Sequence, residues 1–306
     1  MTKILVATEK PFAKVAVDGI RRVAEEAGME LALLEKYTSR DELLKAVADA
    51  DALIVRSDKI GEDVFKAAPR LKIVVRAGAG YDNIDLKAAT AAGVIVENTP
   101  GQNSNAVAEL VFGLMVMAAR HSYTGVSGFE LKGKRLGIQA FGQVGRNVAR
   151  IAKGFGMEVS AVDPFCPDEV MKEAGVEPCH SVAELYRDNQ FVSINIPATP
   201  ETIRSIGYDL LVSMPANAVV INTARKEVID EEGLARALEA RADFKYFADV
   251  KPDCADELDA RFPGRVFFTP KKMGAQTAEA NINAGIAAAR QIVAFVKDGS
   301  DRFRVN

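Results

Sequence analysis

The chain has only two histidines, His121 and His180, and three cysteines, Cys166, Cys179 and Cys254. Neither set has the spacing of a zinc site, and three scattered thiols cannot build a disulfide framework. A metal centre and a disulfide scaffold are therefore excluded, and a reducing, cytoplasmic setting is expected. Basic runs are also missing. With a net charge of −3, the chain lacks the electrostatic footprint of a nucleic-acid binder or of a protein that docks on an anionic membrane. No apolar run approaches the roughly 20 residues of a membrane span. The short apolar core of Met1–Thr8 reads as a first strand and not as a signal peptide. Tryptophan is absent too, which decides nothing about function.

What is present is the balance of a soluble globular protein: 48% hydrophobic and 26% charged residues over 306 positions, enough for two domains that each bury a core. From Lys3 to Val96, apolar strand-like runs (Ile4–Ala7, Leu31–Leu34, Ala52–Val55, Ile73–Val75, Val94–Val96) alternate with amphipathic segments. Such alternation implies βαβ crossovers and a parallel sheet covered on both faces. Pro100 and Gly101 mark a boundary before the long apolar helix Ala106–Arg120, which is expected to share its surface between a core and an oligomer interface. The pattern then resumes, with strands at Phe191–Ile194, Val219–Ile221, Phe247–Val250 and Val266–Phe268 and helices at Glu231–Ala240 and Thr277–Lys297. The expected fold is α/β, with two doubly wound parallel-sheet domains. The last helix is long enough to return to the first of them, so residues 1–98 plus 284–306 would enclose a second domain at 99–283. A cleft between two such domains is the default ligand site.

The element that organises this pattern runs from Lys134 to Phe165. Leu136, Ile138 and Ala140 form a strand, Gly142 and Gly145 break it, and Val144, Val148, Ile151 and Ala152 recur at helical spacing. A second strand through Val159, Ala161 and Val162 ends in Asp163, close to the ~20-residue separation at which a ribose-binding acid is expected. Strand, glycine turn and helix N-terminus suit a pyrophosphate, and a carboxylate suits ribose hydroxyls. The usual first glycine is Ala140, whose methyl group costs little if that position keeps negative φ. By contrast, Gly128–Arg135 only superficially resembles a phosphate-binding P-loop, because it has Arg135 where a Ser or Thr is needed and leads into a strand.

Three more stretches concentrate polar groups at strand ends. Arg76–Asn83 is a glycine-rich turn whose backbone N–H groups can cradle an anion, or simply a tight βα turn. Asn222–Arg225 places a guanidinium where α/β sheets bind ligands, unless Arg225 forms a surface ion pair. Phe268–Gly274 carries Lys271 and Lys272 behind Pro270, a pair equally at home in a solvated loop.

Taken together and in this order, the Arg76–Asp85 run, Asn103 ahead of Val107-Ala108-Glu109, the glycine turn with Asp163, Asn222–Arg225 and Thr269-Pro270-Lys271 resemble the D-2-hydroxyacid dehydrogenase family across nearly the whole chain. The likeness is greatest to its short, lysine-type phosphoglycerate dehydrogenases. The resemblance implies a flavodoxin-like substrate domain, a Rossmann-type NAD domain, hydride transfer in the cleft and a homodimer, with no regulatory domain. It further implies oxidation of D-3-phosphoglycerate, with other small 2-keto acids such as glyoxylate or hydroxypyruvate, or cofactor sensing without turnover, as alternatives. Arg225 and Lys271 would be catalytic. Phe141, Gly142, Gln143, Val144, Gly145, Asp163, Pro164, Pro197, Thr202, Thr223, Ala224 and Asp249 would contact NAD, with Asp163 rejecting NADP. Arg56 and Ser57 would meet a substrate phosphate, and Ala79, Gly80 and Asn103 the carboxylate. Two departures from the family pattern coincide: the usual His after Thr-Pro is Lys271, and the Glu that orients it falls on Cys254, one residue after Asp253. An ammonium already carries its proton and needs a lowered pKa in place of a carboxylate partner, so burial beside Arg225 is expected for Lys271.

Overall fold

A computed structural model describes residues 1–306. They form two compact units, one comprising Met1–Asn103 with Gln276–Asn306, the other Ser104–Ala275. Unit 1 runs β1 (Lys3–Thr8), α1 (Lys14–Glu26), β2 (Glu30–Glu35), α2 (Arg40–Val47), β3 (Ala52–Val55), α3 (Glu62–Ala67), β4 (Ile73–Arg76), α4 (Leu86–Ala91) and β5 (Ile95–Asn98). Its strands are all parallel in the order β2-β1-β3-β4-β5, so the winding reverses between β1 and β3. Both faces of β1 are buried, as expected of a central parallel strand. Ile4 and Val6 pack into one core and Leu5 and Ala7 into the other, following the two-residue period of a strand. Local signals set the helix starts. Ser39 opens α2 with a reciprocal capping box to Glu42, and Asp85 caps α4.

Unit 2 runs α5 (Ser104–Ala119), β6 (Arg135–Gln139), α6 (Gln143–Gly154), β7 (Glu158–Val162), α7 (Asp168–Glu173), β8 (Glu177–Pro178), α8 (Val182–Asp188), β9 (Phe191–Ile194), α9 (Tyr208–Ser213), β10 (Val219–Asn222), α10 (Glu231–Ala240), β11 (Lys245–Ala248), α11 (Ala255–Arg261) and β12 (Val266–Phe268). The strands are again parallel, in the order β12-β11-β10-β9-β6-β7-β8, with the reversal between β6 and β9. Helices α5 and α6 cover one face, where Leu136, Ile138, Val219 and Phe247 point; Val192, Val220 and Tyr246 point into the other core. No helix is long and apolar enough to cross a membrane.

The chain returns to unit 1 through α12 (Ala278–Asp298), capped by Thr277 and stopped by Gly299 at φ 68°. Both unit boundaries differ from the expected ones. The first crossing falls at Asn103 instead of residue 98, because unit 2 begins with the first turn of α5. The second falls at Ala275 instead of 283, because α12 is one unbroken helix that packs on α1 from its beginning: an added Cβ at Gly285 would lie 3.0 Å from the Phe12 ring and 3.1 Å from Ile20. The tail then lies antiparallel to the edge strand β5, with Val305 N donating to Val96 O at 2.9 Å and Val96 N donating to Asn306 Oδ1 at 2.8 Å. That pairing covers an edge that would otherwise be open. Helices α7, α8, α9 and α11 and the two-residue β8 lie outside the expected elements, since each is too short to display a full amphipathic period.

Ile292 of α12 is fully buried among Ile4, Val6, Ile20, Ile54 and Val75. Replacing it by Ala should cost about 2–5 kcal/mol of stability, read as a lowered denaturation midpoint of unit 1; an unchanged midpoint would show that α12 is not part of that core.

Candidate active site

The residues singled out from the sequence of unit 2 fall at the carboxyl ends of its strands. Side chains in the middle of a doubly covered parallel sheet are consumed by the core, and only its ends are free to meet a ligand. Past β6, Ala140 donates its N–H to Val162 O at 2.9 Å, tying the turn to β7. Its φ is 75°, so the condition under which the methyl group costs little is not met: the sharp reversal into α6 puts an alanine in the left-handed region, at a cost of about 1–2 kcal/mol. Gly145 explains why the turn must be so tight. A Cβ there would run into Ala140 O and lie 3.1 Å from Ile138 Cγ2, so glycine lets α6 press against β6. Gly142 differs. It caps α6 without a side-chain bond, and a Cβ on it would meet nothing within 4 Å. The turn therefore faces open space in front of an uncapped helix N-terminus, where N–H groups and the positive dipole end favour an anion.

Half-buried Asp163 accepts from Phe141 N at 2.8 Å and from Phe165 N at 2.9 Å, one on each carboxylate oxygen. It thus braces the glycine turn as well as offering its remaining lone pairs. After β9, Thr202 closes the next loop by accepting from Thr199 N at 2.7 Å and donating to Pro197 O at 2.6 Å. Pro164 and Pro197 are exposed at these loop tips. Thr223, directly after β10, is buried, and its Oγ1 has no hydrogen-bond partner. An open glycine turn, a braced carboxylate and an orphaned buried hydroxyl along one sheet edge fit a bound dinucleotide.

Asn222 shapes the neighbouring turn. Its Oδ1 accepts from Ala224 N at 3.0 Å, while its Nδ2 donates to Arg225 O at 2.9 Å and to the buried Tyr246 hydroxyl at 3.0 Å. Arg225 Nη1 donates to Ala224 O at 3.0 Å, which holds the guanidinium against the turn. Asp249 is buried and spends its carboxylate on the protein. Oδ1 accepts from Thr269 Oγ1 at 2.8 Å and Met273 N at 2.6 Å, and Oδ2 from Gly274 N at 2.7 Å. These bonds pull in both ends of the Thr269–Gly274 loop and leave Lys271 and Lys272 outside. Lys271 is therefore exposed, contrary to the expected burial. A cavity of about 290 Å³ has Arg225, Lys226, Asp249, Lys251, Lys271 and Lys272 on its wall. Lys226 and Lys251 were not among the expected site residues, although each lies within four residues of a strand end.

Neither residue near the missing Glu position replaces a carboxylate partner. Asp253 ion-pairs with Lys226 at 2.5 Å. Burial, and next the neighbouring Glu231 carboxylate, push the Cys254 thiol up to about 12. Glu231 itself accepts from Asp253 N and Cys254 N, both at 2.9 Å, and so locks this corner.

In unit 1 the expected substrate residues also cluster at strand ends. Arg56, after β3, is half-buried over the Phe12 ring at 5.2 Å, and burial lowers its pKa. Gly78 takes φ 152° after β4, and Ala79 O accepts from Asn98 Nδ2 at 2.7 Å. The N–H groups of Ala79 and Gly80 donate to no protein acceptor. Ser57 is exposed, and Asn103 is half-buried at the end of the unit.

A family model for the D-isomer specific 2-hydroxyacid dehydrogenase NAD-binding domain matches residues 112–268. D-3-phosphoglycerate dehydrogenase of Methanocaldococcus jannaschii is 37% identical over 310 residues, covering 95% of this chain but only 57% of that protein. Hydroxypyruvate reductase of Thermotoga maritima is 34% identical over 282 residues, covering 86% of this chain and 90% of that one. Among solved structures, NAD⁺-bound 3-phosphoglycerate dehydrogenase of Entamoeba histolytica superposes with a TM-score of 0.88 at 46% identity, over 100% of this chain and 98% of that one. The chain belongs to the D-isomer specific 2-hydroxyacid dehydrogenases. Unit 2 is their NAD-binding domain.

Gly145→Ala should lose about 1–3 kcal/mol of stability, measured by chemical denaturation, because the added methyl must force α6 off β6. For Cys254, a thiol held protonated up to about pH 12 should alkylate with iodoacetamide at pH 8 on the order of a thousandfold more slowly than a free cysteine. Its rate should climb with each pH unit, and rapid labelling at pH 8 would contradict the assignment.

Proposed function

We propose that the enzyme interconverts D-3-phosphoglycerate and 3-phosphohydroxypyruvate with NAD. The observation that carries the phosphorylated substrate is Arg56: a half-buried cation at a strand end of unit 1 gives this chain an anion subsite that a simple 2-hydroxy acid does not need. The relatives named as phosphoglycerate dehydrogenases support the same reading. Bound along the edge of unit 2, NAD supplies the acceptor for the hydride that leaves C2.

The chain's own residues do the rest. Phe141–Gly145 and the N-terminus of α6 hold the pyrophosphate, and Asp163 accepts from the adenosine ribose hydroxyls and repels a 2′-phosphate. The Arg225 fork fixes the substrate carboxylate and polarises the C2 oxygen, and Lys271 exchanges the proton on that oxygen. The unused N–H groups of Ala79 and Gly80 add donors for the carboxylate, with Asn103, and Arg56 with Ser57 takes the phosphate. A homodimer belongs to the same reading.

A second reading is reduction of glyoxylate or hydroxypyruvate, favoured by the hydroxypyruvate reductase among the relatives, since Arg225 and Lys271 serve any 2-keto acid. Loss of NADH absorbance with phosphohydroxypyruvate, set against both unphosphorylated keto acids, decides between them. NADH binding without turnover on any of the three would make the chain a cofactor-sensing protein instead. Lys271→Ala should lower kcat by about a hundredfold or more while leaving NADH affinity, measured by fluorescence titration, close to normal. Near-normal turnover would remove Lys271 from the chemistry.

A further inference from the structure

Arg56 is unusual in what holds it. Its Nη1 donates to the carbonyls of Lys10 at 3.0 Å and Pro11 at 3.2 Å, and its Nη2 to Asn281 Oδ1 at 2.6 Å. All three acceptors are neutral, and no carboxylate forms an ion pair with it. Compare Arg40 and Arg70 in the same unit, which pair with Asp63 and Asp51. The nearest acid in sequence, Asp58, acts on the guanidinium only through space, without an ion pair; its oxygens accept from Glu9 N at 2.8 Å, the Tyr37 hydroxyl at 2.9 Å and the backbone N–H of Arg56 at 3.1 Å. Three of the five guanidinium N–H groups are thus fixed by uncharged oxygens. One on Nε and one on Nη2 are left over.

Asn281 is itself oriented. It lies in the first turn of α12, and its Nδ2 donates to Thr277 O at 2.7 Å, which turns Oδ1 toward Arg56. Without that bond the amide could present its NH₂ group to the cation. From the chain Thr277 O, Asn281, Arg56 we infer that Asn281 is a positioning residue that sets specificity for a phosphorylated substrate: it immobilises the Arg56 guanidinium without committing it to an ion pair. The inference rests on the reading of Arg56 as the phosphate subsite and goes beyond it. An aspartate would fit the same space and hold Arg56 more firmly, yet it would cancel the charge. A fixed cation is strong toward phosphate only where no nearer anion has claimed it.

The test compares kcat/KM for phosphohydroxypyruvate and for hydroxypyruvate in the wild type, Asn281→Asp and Asn281→Ala. Taking the ratio of the two cancels any general loss from disturbed folding. Asn281→Asp should reduce the preference for the phosphorylated substrate by about 10- to 100-fold, the worth of a charge-assisted hydrogen-bonded contact, chiefly through KM for that substrate. Asn281→Ala, which removes an acceptor but adds no charge, should reduce it less. A purely structural role predicts the reverse order or equal effects on both substrates, and either result overturns the inference. Wild-type enzyme with no preference for the phosphorylated substrate would overturn the phosphate reading and the inference together. A clear wild-type preference that survives in Asn281→Asp would overturn the inference alone.

Discussion

The NAD-binding unit depends on one buried carboxylate. Asp249 stands at the end of β11, almost wholly removed from solvent, and accepts from Thr269 Oγ1, Met273 N and Gly274 N at 2.6–2.8 Å. Each hydrogen bond to a charged group contributes about 1.5–3 kcal/mol, and a buried carboxylate deprived of them would be strongly destabilising. The loop from Thr269 to Gly274 has no regular structure of its own to hold it. Its course, and with it the place of Lys271 on the cavity wall beside Arg225, is dictated by those three bonds. Expected as a cofactor contact, Asp249 is in the structure first the residue that builds the loop.

The same logic repeats along the sheet edges. Asn222 shapes the turn that carries Arg225, Asp163 braces the glycine turn, and Asp58 and Asn83 tie the strand ends around Arg56: Asn83 Nδ2 donates to Asp58 O at 2.7 Å. In a parallel sheet covered on both faces the strand interiors are apolar, so the polar side chains that order the loops must come from the first residues beyond each strand. Those positions also hold the groups that would touch ligands. Bracing and binding residues are therefore neighbours in sequence, and a motif contains both without distinguishing them.

The glycine turn was legible because its chemistry is local: Gly142 and Gly145 matter for the Cβ they lack. The conformation of Ala140 was not, since φ 75° at an alanine runs against its own preference and is imposed by Val162 O on one side and α6 on the other. Lys271 could be picked out by its place after Thr269-Pro270, but its exposure could not, because that follows from which backbone N–H groups Asp249 gathers. Cys254 was visible only as a missing glutamate; that its thiol is held neutral depends first on burial and then on Glu231, 23 residues earlier in the chain. Short helices such as α9 and α11 left no periodic trace.

By itself the sequence determined two parallel α/β sheets, the glycine turn between β6 and α6 and the identity of the cations at the strand ends, because hydrophobic period, glycine placement and residue chemistry are properties of short segments. Only the tertiary structure decided what those cations face. Arg56 is held by two carbonyls and by Asn281, 225 residues away, and Lys226 is ion-paired with Asp253 where Arg56 makes no ion pair and feels Asp58 only through space. Whether a charge is spent on the protein or left for a ligand depends on distances of a few ångströms between residues remote in the chain, and only the folded chain sets those distances.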